Sequence, residues 1–212
     1  MARVEIEFSW PVAERYEIAR PKKGAGNTLL TSGINEPRLV AVGPLTNTRM
    51  LDWDIYKWVA KRPKTIEAYA EFAHRFGLLG DVMDPPGESY LSTWRETIDG
   101  LSKLRKLCEG AKVAGAGMPF TVGSEVRVLV RRRADGSPTL AYHPKSLRSA
   151  LMLQCAQDLT SGAAIRDCLQ CGQWFTVGGA HGRRSHAQFC SQECKIKYMN
   201  DRNRARAKET GK

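Results

Sequence analysis

Four of the six cysteines in this 212-residue chain crowd into one stretch near its C-terminus. Cys168 and Cys171 form a C-x-x-C, Cys190 and Cys194 form a C-x-x-x-C, and eighteen residues lie between the pairs. Two close pairs at this separation can close a tetrahedral site of four thiolates around one zinc ion, with sulfur at about 2.3 Å from the metal. Four protein ligands fill the coordination sphere, so the spacing predicts a structural ion rather than a catalytic one with a position open to water. The competing reading is four reduced thiols with no metal. His181 and His186, between the pairs, are alternative ligands, although exposed loop residues that contact a partner describe them more simply.

The surrounding residues suit the zinc reading. Gly172 follows the first pair, where a knuckle needs positive φ. Trp174 and Phe175 can cover the metal, and Gly178, Gly179 and Gly182 make a return loop. Ser191 stands as an N-cap before a helix predicted over Gln192 to Lys208. Knuckle, hairpin, and second knuckle at a helix N-terminus make the pattern of a treble clef. The other two cysteines, Cys108 and Cys155, fall on apolar helix faces and are not expected to be ligands.

Charge is placed unevenly. The chain carries +11 overall, and from Arg166 to Lys212 ten Lys/Arg stand against four Asp/Glu, a surplus of six. Clustering of this kind points to a polyanionic partner; a merely solvated basic tail is the alternative. No segment has the apolar length of a membrane span, so no membrane partner is expected. The opening MARVEIEFSW alternates charged and apolar residues and lacks the apolar run of a signal peptide. With no disulfide framework either, a cytoplasmic setting is expected.

Before the cysteines the chain reads as an α+β body over residues 1–162, mostly helical, with a short N-terminal strand and a β-hairpin; residues 163–212 form the four-cysteine zinc module. Arg3 to Trp10 alternates as a strand and Arg20 to Gly33 reads as loop. Its Gly24-Ala-Gly26 is not a phosphate loop, since no G-K-[ST] follows. Arg38 to Val42 suggests a second short strand. Helical periodicity runs from Thr48 to Arg62, where Pro63 ends it. Thr65 caps the next helix and Gly77 closes it. Asp84-Pro-Pro-Gly87 is a break and Ser89 opens a third helix, whose Trp94, Ile98, Leu101, Leu104 and Leu107 recur at core spacing. Ala111 to Met118 is a linker. Glu125 to Tyr142 reads as a hairpin turning at Asp135-Gly136, with Arg131, Arg132 and Arg133 near its tip. Pro144 opens a helix through Thr160 that faces Leu147, Ala150, Leu151, Gln154, Cys155 and Leu159 inward.

The C-terminal run Arg166-Asp-Cys168-Leu-Gln-Cys171-Gly-Gln-Trp174-Phe175, then Arg183-Arg184, then Phe189-Cys190-Ser191-Gln-Glu-Cys194 and a basic helix resembles bacterial proteins with a CGNR-type zinc finger. In that family the finger follows a mostly helical body often called ABATE. The resemblance implies one structural zinc and a role in transcription regulation. It is specific over Arg166 to Arg206 and rests on general layout before that. The name-giving Cys-Gly-Asn-Arg is Cys194-Lys-Ile-Lys here, and an Asn-Arg-Ala-Arg occurs later, at Asn203 to Arg206.

Three functions compete. The leading one is a zinc-stabilised nucleic-acid-binding regulator, with DNA favoured over RNA. Arg183, Arg184, Lys195, Lys197, Arg202, Arg204, Arg206 and Lys208 would contact phosphates, and Asn200 or Asn203 would reach an adenine edge. On a helix, 195, 202 and 206 share one face and 197, 204 and 208 nearly the opposite one. The body is left with ligand sensing or homodimerisation. The second function is an interaction module whose basic helix meets an acidic protein. The third, a metal-dependent nuclease, needs further His and Asn or Asp ligands and a water activator. No histidine follows Cys194, and His143-Pro144 reads as a helix start, so no enzyme and no catalytic residue are expected.

Overall fold

A computed structural model describes residues 5–6, 8–21, 36–49, 55–80, 86–110, 126–132, 138–178 and 182–210. Among these the chain is a mixed α+β protein of five helices and three small sheets. In order the elements are β1 (Glu5–Ile6), β2 (Ser9–Ala19), β3 (Arg38–Arg49), α1 (Ile55–Val59), α2 (Ile66–Phe76), β4 (Glu88–Tyr90) and α3 (Leu91–Gly110). Then follow β5 (Val126–Arg132), β6 (Pro138–Pro144), α4 (Leu147–Thr160), β7 (Ala163–Asp167), β8 (Trp174–Gly178) and α5 (Gln192–Thr210). The chain divides into two compact units, Met1–Gln157 and Asp158–Lys212.

In the first unit the sheet share exceeds the sequence expectation. The N-terminal segment is two strands in different sheets. Glu5–Ile6 runs parallel to β6, whereas β2 continues to Ala19 and pairs antiparallel with β3 along its whole length. The strand expected to stop at Val42 runs on to Arg49 through a bulge. Ala13 pairs with Leu45 and Arg15 with Val42, so Glu14 alone faces Gly43-Pro44. Gly43 has φ +88°, a conformation that suits glycine there. This extension takes away the N-terminal end of the helix predicted over Thr48 to Arg62. Thr48 and Arg49 belong to β3, and α1 is only the five residues Ile55–Val59.

Other boundaries follow local chemistry. The Thr65 hydroxyl accepts from the Ala68 N–H at 3.3 Å, and the Gly77 N–H closes the same helix on the Ala73 carbonyl at 2.7 Å. Ser89 does not open a helix; it sits in β4. The helix starts at Leu91, where the Glu36 carboxylate accepts from both the Ser92 N–H and its hydroxyl. Pro144 ends β6, and Ser146 caps α4 through the Ser149 N–H at 3.1 Å. The expected hairpin forms as β5–β6, with Val126 opposite Pro144. The loop from Lys22 to Gly33, Asp84-Pro85, the 111–118 linker, Arg133 and the Asp135-Gly136 turn lie outside the described residues, as do the side chains of Cys108, Arg131 and Arg132.

The core of this unit is aromatic. Trp94 on α3 stacks on Tyr69 of α2 at 5.1 Å and meets Phe72 at 5.3 Å. All three are fully buried, and burying rings of this size is the main favourable term. Their polar ends are satisfied: the Trp94 Nε1–H donates to the Pro63 carbonyl, and the Tyr69 hydroxyl accepts from the Leu79 N–H. Trp10 of β2 donates to the Phe76 carbonyl, which pins α2 to the strand. Cys155 is fully buried in α4, outside the cysteine group of the second unit.

Candidate metal centre

The second unit is built around the cysteines. The strands β7 and β8 pair from Asp167–Trp174 to Ala163–Gly178, so Cys168 to Cys171 form the turn of this hairpin. The turn is closed by the Cys168 N–H on the Gln173 carbonyl at 2.9 Å and the Gly172 N–H on the Cys168 carbonyl at 2.8 Å. Gly172 has φ +70°, as the sequence requires of a residue leaving a knuckle. Sequence reading placed the hairpin after the first pair; instead the first pair caps it. Chain between 182 and 190 returns alongside: the Arg183 N–H donates to the Thr176 carbonyl at 2.9 Å and the Gly178 N–H to the Arg183 carbonyl at 2.7 Å. Gly182 approaches β8 so closely that a Cβ there would run into the Gly178 backbone oxygen.

The second pair sits at the start of α5. The Ser191 hydroxyl accepts from the Cys194 N–H at 3.1 Å, the N-cap read from the sequence. Cys168, Phe175 and Val177 are buried together, with Ala187, Phe189, Cys190 and Cys194 packed against them. Phe175 is thus packed with the cysteines, as a cover requires, and Trp174, its neighbour on β8, is also buried. Phe189 also meets Tyr198 of α5 at 5.2 Å, and Gln170 donates to the Asp201 carboxylate at 3.2 Å. Both contacts fix one side of the helix against the knuckles.

All four Sγ atoms lie within 4.8 Å of one another. Cys171 and Cys190 are 3.6 Å apart and Cys190 and Cys194 3.5 Å. A tetrahedron with bonds of about 2.3 Å has edges of about 3.8 Å, so these sulfurs stand close to the corners such an ion needs. The electrostatics agree. Burial opposes ionisation of the Cys168 thiol, but backbone N–H groups of Cys190, Cys171 and Gln170 outweigh it and bring it down to about 6. Burial and the adjoining thiols push Cys190 up, and burial raises Cys171. One sulfur is thus held as a thiolate beside two, Cys171 and Cys190, that resist ionising. The group fits a metal ion by donor type, number and spacing. His186 is exposed and is not in this group, and His181 lies outside the described residues.

The predicted anion contacts are all exposed. Arg183 and Arg184 lie on the return segment; Lys195, Lys197, Arg202, Arg204, Arg206 and Lys208 lie along α5. The Ser191 hydroxyl and the Glu193 backbone amide hold the Glu193 carboxyl below its ordinary range, with a smaller contribution from the Arg183 charge. Sequence reading gave Arg166 no structural role; its guanidinium donates to the Ala187 carbonyl at 3.3 Å and ties β7 to the return segment. Sequence reading gave none to Gln170 either. Neither carries a signal in a single sequence, because both partners are distant in the chain.

No family model, curated protein or solved structure matches the chain. No helix among the described residues is long and apolar enough to cross a membrane.

Proposed function

We propose that residues 158–212 are a zinc-stabilised, treble-clef-like module that binds nucleic acid, and that the chain is a DNA-binding regulator. Cys168, Cys171, Cys190 and Cys194 would hold one Zn²⁺. The ion would supply no reaction chemistry; it would join the β7–β8 turn to the first turn of α5 and neutralise thiolate charge. Four thiolates leave no position for an activated water, so the module is not an enzyme in this reading. The resemblance of Arg166 to Arg206 to CGNR-type zinc fingers points the same way.

The observation that carries the reading is α5 itself. Its N-terminal turns are tied to the cysteine group, yet every residue from Asn200 to Lys208 is exposed, and four of these are Arg or Lys. A helix held at one end that spends its length in solvent, with six basic residues, suits a polyanion. The test is a titration of zinc-loaded protein with random-sequence duplex DNA at two salt concentrations. Each phosphate contact contributes a log–log slope of about −0.9. Replacing Arg202, Arg204, Arg206 and Lys208 by Ala should flatten the slope by roughly three to four units with zinc retained. Absence of binding to DNA and RNA at low salt would overturn the reading in favour of a module for an acidic protein.

A further inference from the structure

The contacts of α5 orient it. Cys194, Tyr198 and Asp201 turn toward the knuckles, through the cysteine group, the Phe189 ring and Gln170. Advancing at about 100° per residue, the opposite side of the helix carries Ile196, Met199, Asn200 and Asn203. All four are exposed, Ile196 to 52% and Met199 to 43%. Lys195, Arg202 and Arg206 then form one flank of that outer face, and Lys197, Arg204 and Lys208 form the other. Two apolar side chains and two carboxamides are therefore framed by a basic stripe on each side.

We propose that this outer face enters the major groove of B-form duplex DNA and selects A·T base pairs, an inference that rests on the nucleic-acid reading above. The dimensions fit. A helix with its side chains is about 10–12 Å across and the major groove about 12 Å wide, so the two stripes would meet the two phosphate backbones that border the groove. Asn pairs with the adenine N6 and N7 positions, and an apolar side chain packs on the thymine methyl group, so the face carries both halves of an A·T readout. Single strands are recognised by stacking bases on exposed aromatic rings. In this unit Trp174 and Phe175 are buried, and Phe189 and Tyr198 are half-buried against each other. A-form RNA duplexes have a deep, narrow major groove that a helix does not enter.

The experiment is selection of zinc-loaded chain on a pool of DNA duplexes with a random core. Bound and unbound fractions are sequenced, and a duplex RNA of the same length serves as a second probe. The proposal expects an A·T preference of about tenfold at one or more fixed positions, the scale of one Asn–adenine contact. It also expects weaker binding to duplex RNA. Asn200→Ala/Asn203→Ala, checked for helicity and zinc content, should yield a pool without that preference. DNA binding with an unenriched pool, a preference that survives in the variant, or equal affinity for duplex RNA would each overturn the groove assignment while leaving the nucleic-acid reading intact. Absence of binding to either probe would remove both. The wild-type pool and the RNA arm decide the matter even if the variant misfolds.

Discussion

Gly182→Ala probes how the second pair of cysteines is carried back to the first. Gly182 needs no positive φ; its constraint is space. A Cβ there would collide with the Gly178 carbonyl oxygen and stand 2.9 Å from the Val177 carbonyl carbon and 3.0 Å from the Gly178 nitrogen. All three are backbone atoms of β8, whose side chains Phe175 and Val177 are buried in the unit's core, so the return segment must move instead. That breaks the Arg183 N–H to Thr176 and the Gly178 N–H to Arg183 hydrogen bonds. At about 0.5–1.5 kcal/mol each, the loss is about 1–3 kcal/mol. Because metal binding and folding of such a unit are coupled, the same energy should emerge as zinc affinity weakened roughly ten- to a hundred-fold. Competition against a chromophoric chelator measures it. Gly172→Ala is the comparison: at φ +70° its Cβ meets nothing within 4 Å, so only the left-handed backbone penalty of about 1–2 kcal/mol applies. Unchanged zinc affinity in Gly182→Ala would refute the close approach as the reason for this glycine.

Further outcomes test other parts of the account. Cys168→Ser should lose the metal and unfold the second unit, since structural zinc supplies on the order of 10 kcal/mol to such modules, while the first unit keeps its own cooperative thermal transition. Cys155→Ala and Cys108→Ala should leave zinc content unchanged by elemental analysis; metal loss in either would mean that the ligands are wrongly paired. Burial raises the Tyr16 phenol above its ordinary 10.0, against the opposing hydrogen bond from the Ala13 N–H. The unfolded chain therefore ionises first. The stability this tyrosine contributes is intact below about pH 10 and is lost as pH rises toward the folded value, whereas Tyr16→Phe should show a shallower alkaline decline in chemical denaturation.

What could be read in the sequence was short-range. The cysteine spacing, the Ser191 and Thr65 caps, Gly77 and Gly172 all act within a few residues, and the structure places each as read. The hairpin β5–β6 was legible from its alternation. The β2–β3 ladder was not, because Gly43-Pro44 imitates a strand end and the pairing that carries β3 through it comes from residues about thirty positions earlier. The helix expected from Thr48 was legible where its apolar spacing lies, at Ile55, Trp58 and Val59, but not at its start, because Thr48 and Arg49 pair with β2 instead. Strand β7 was hidden because Ala163–Asp167 is short and follows α4 directly, and it is a strand by virtue of β8. The basic residues of α5 were visible, but the two contacts that decide which way the helix faces, Tyr198 on Phe189 and Gln170 on Asp201, were not.

The most direct test of the account is the metal itself. Elemental analysis and zinc-edge X-ray absorption, on protein purified without chelator, should find one zinc per chain with four sulfur neighbours at about 2.3 Å. Less than stoichiometric zinc, or a coordination shell containing nitrogen or oxygen, would contradict the assignment of Cys168, Cys171, Cys190 and Cys194 as the complete ligand set.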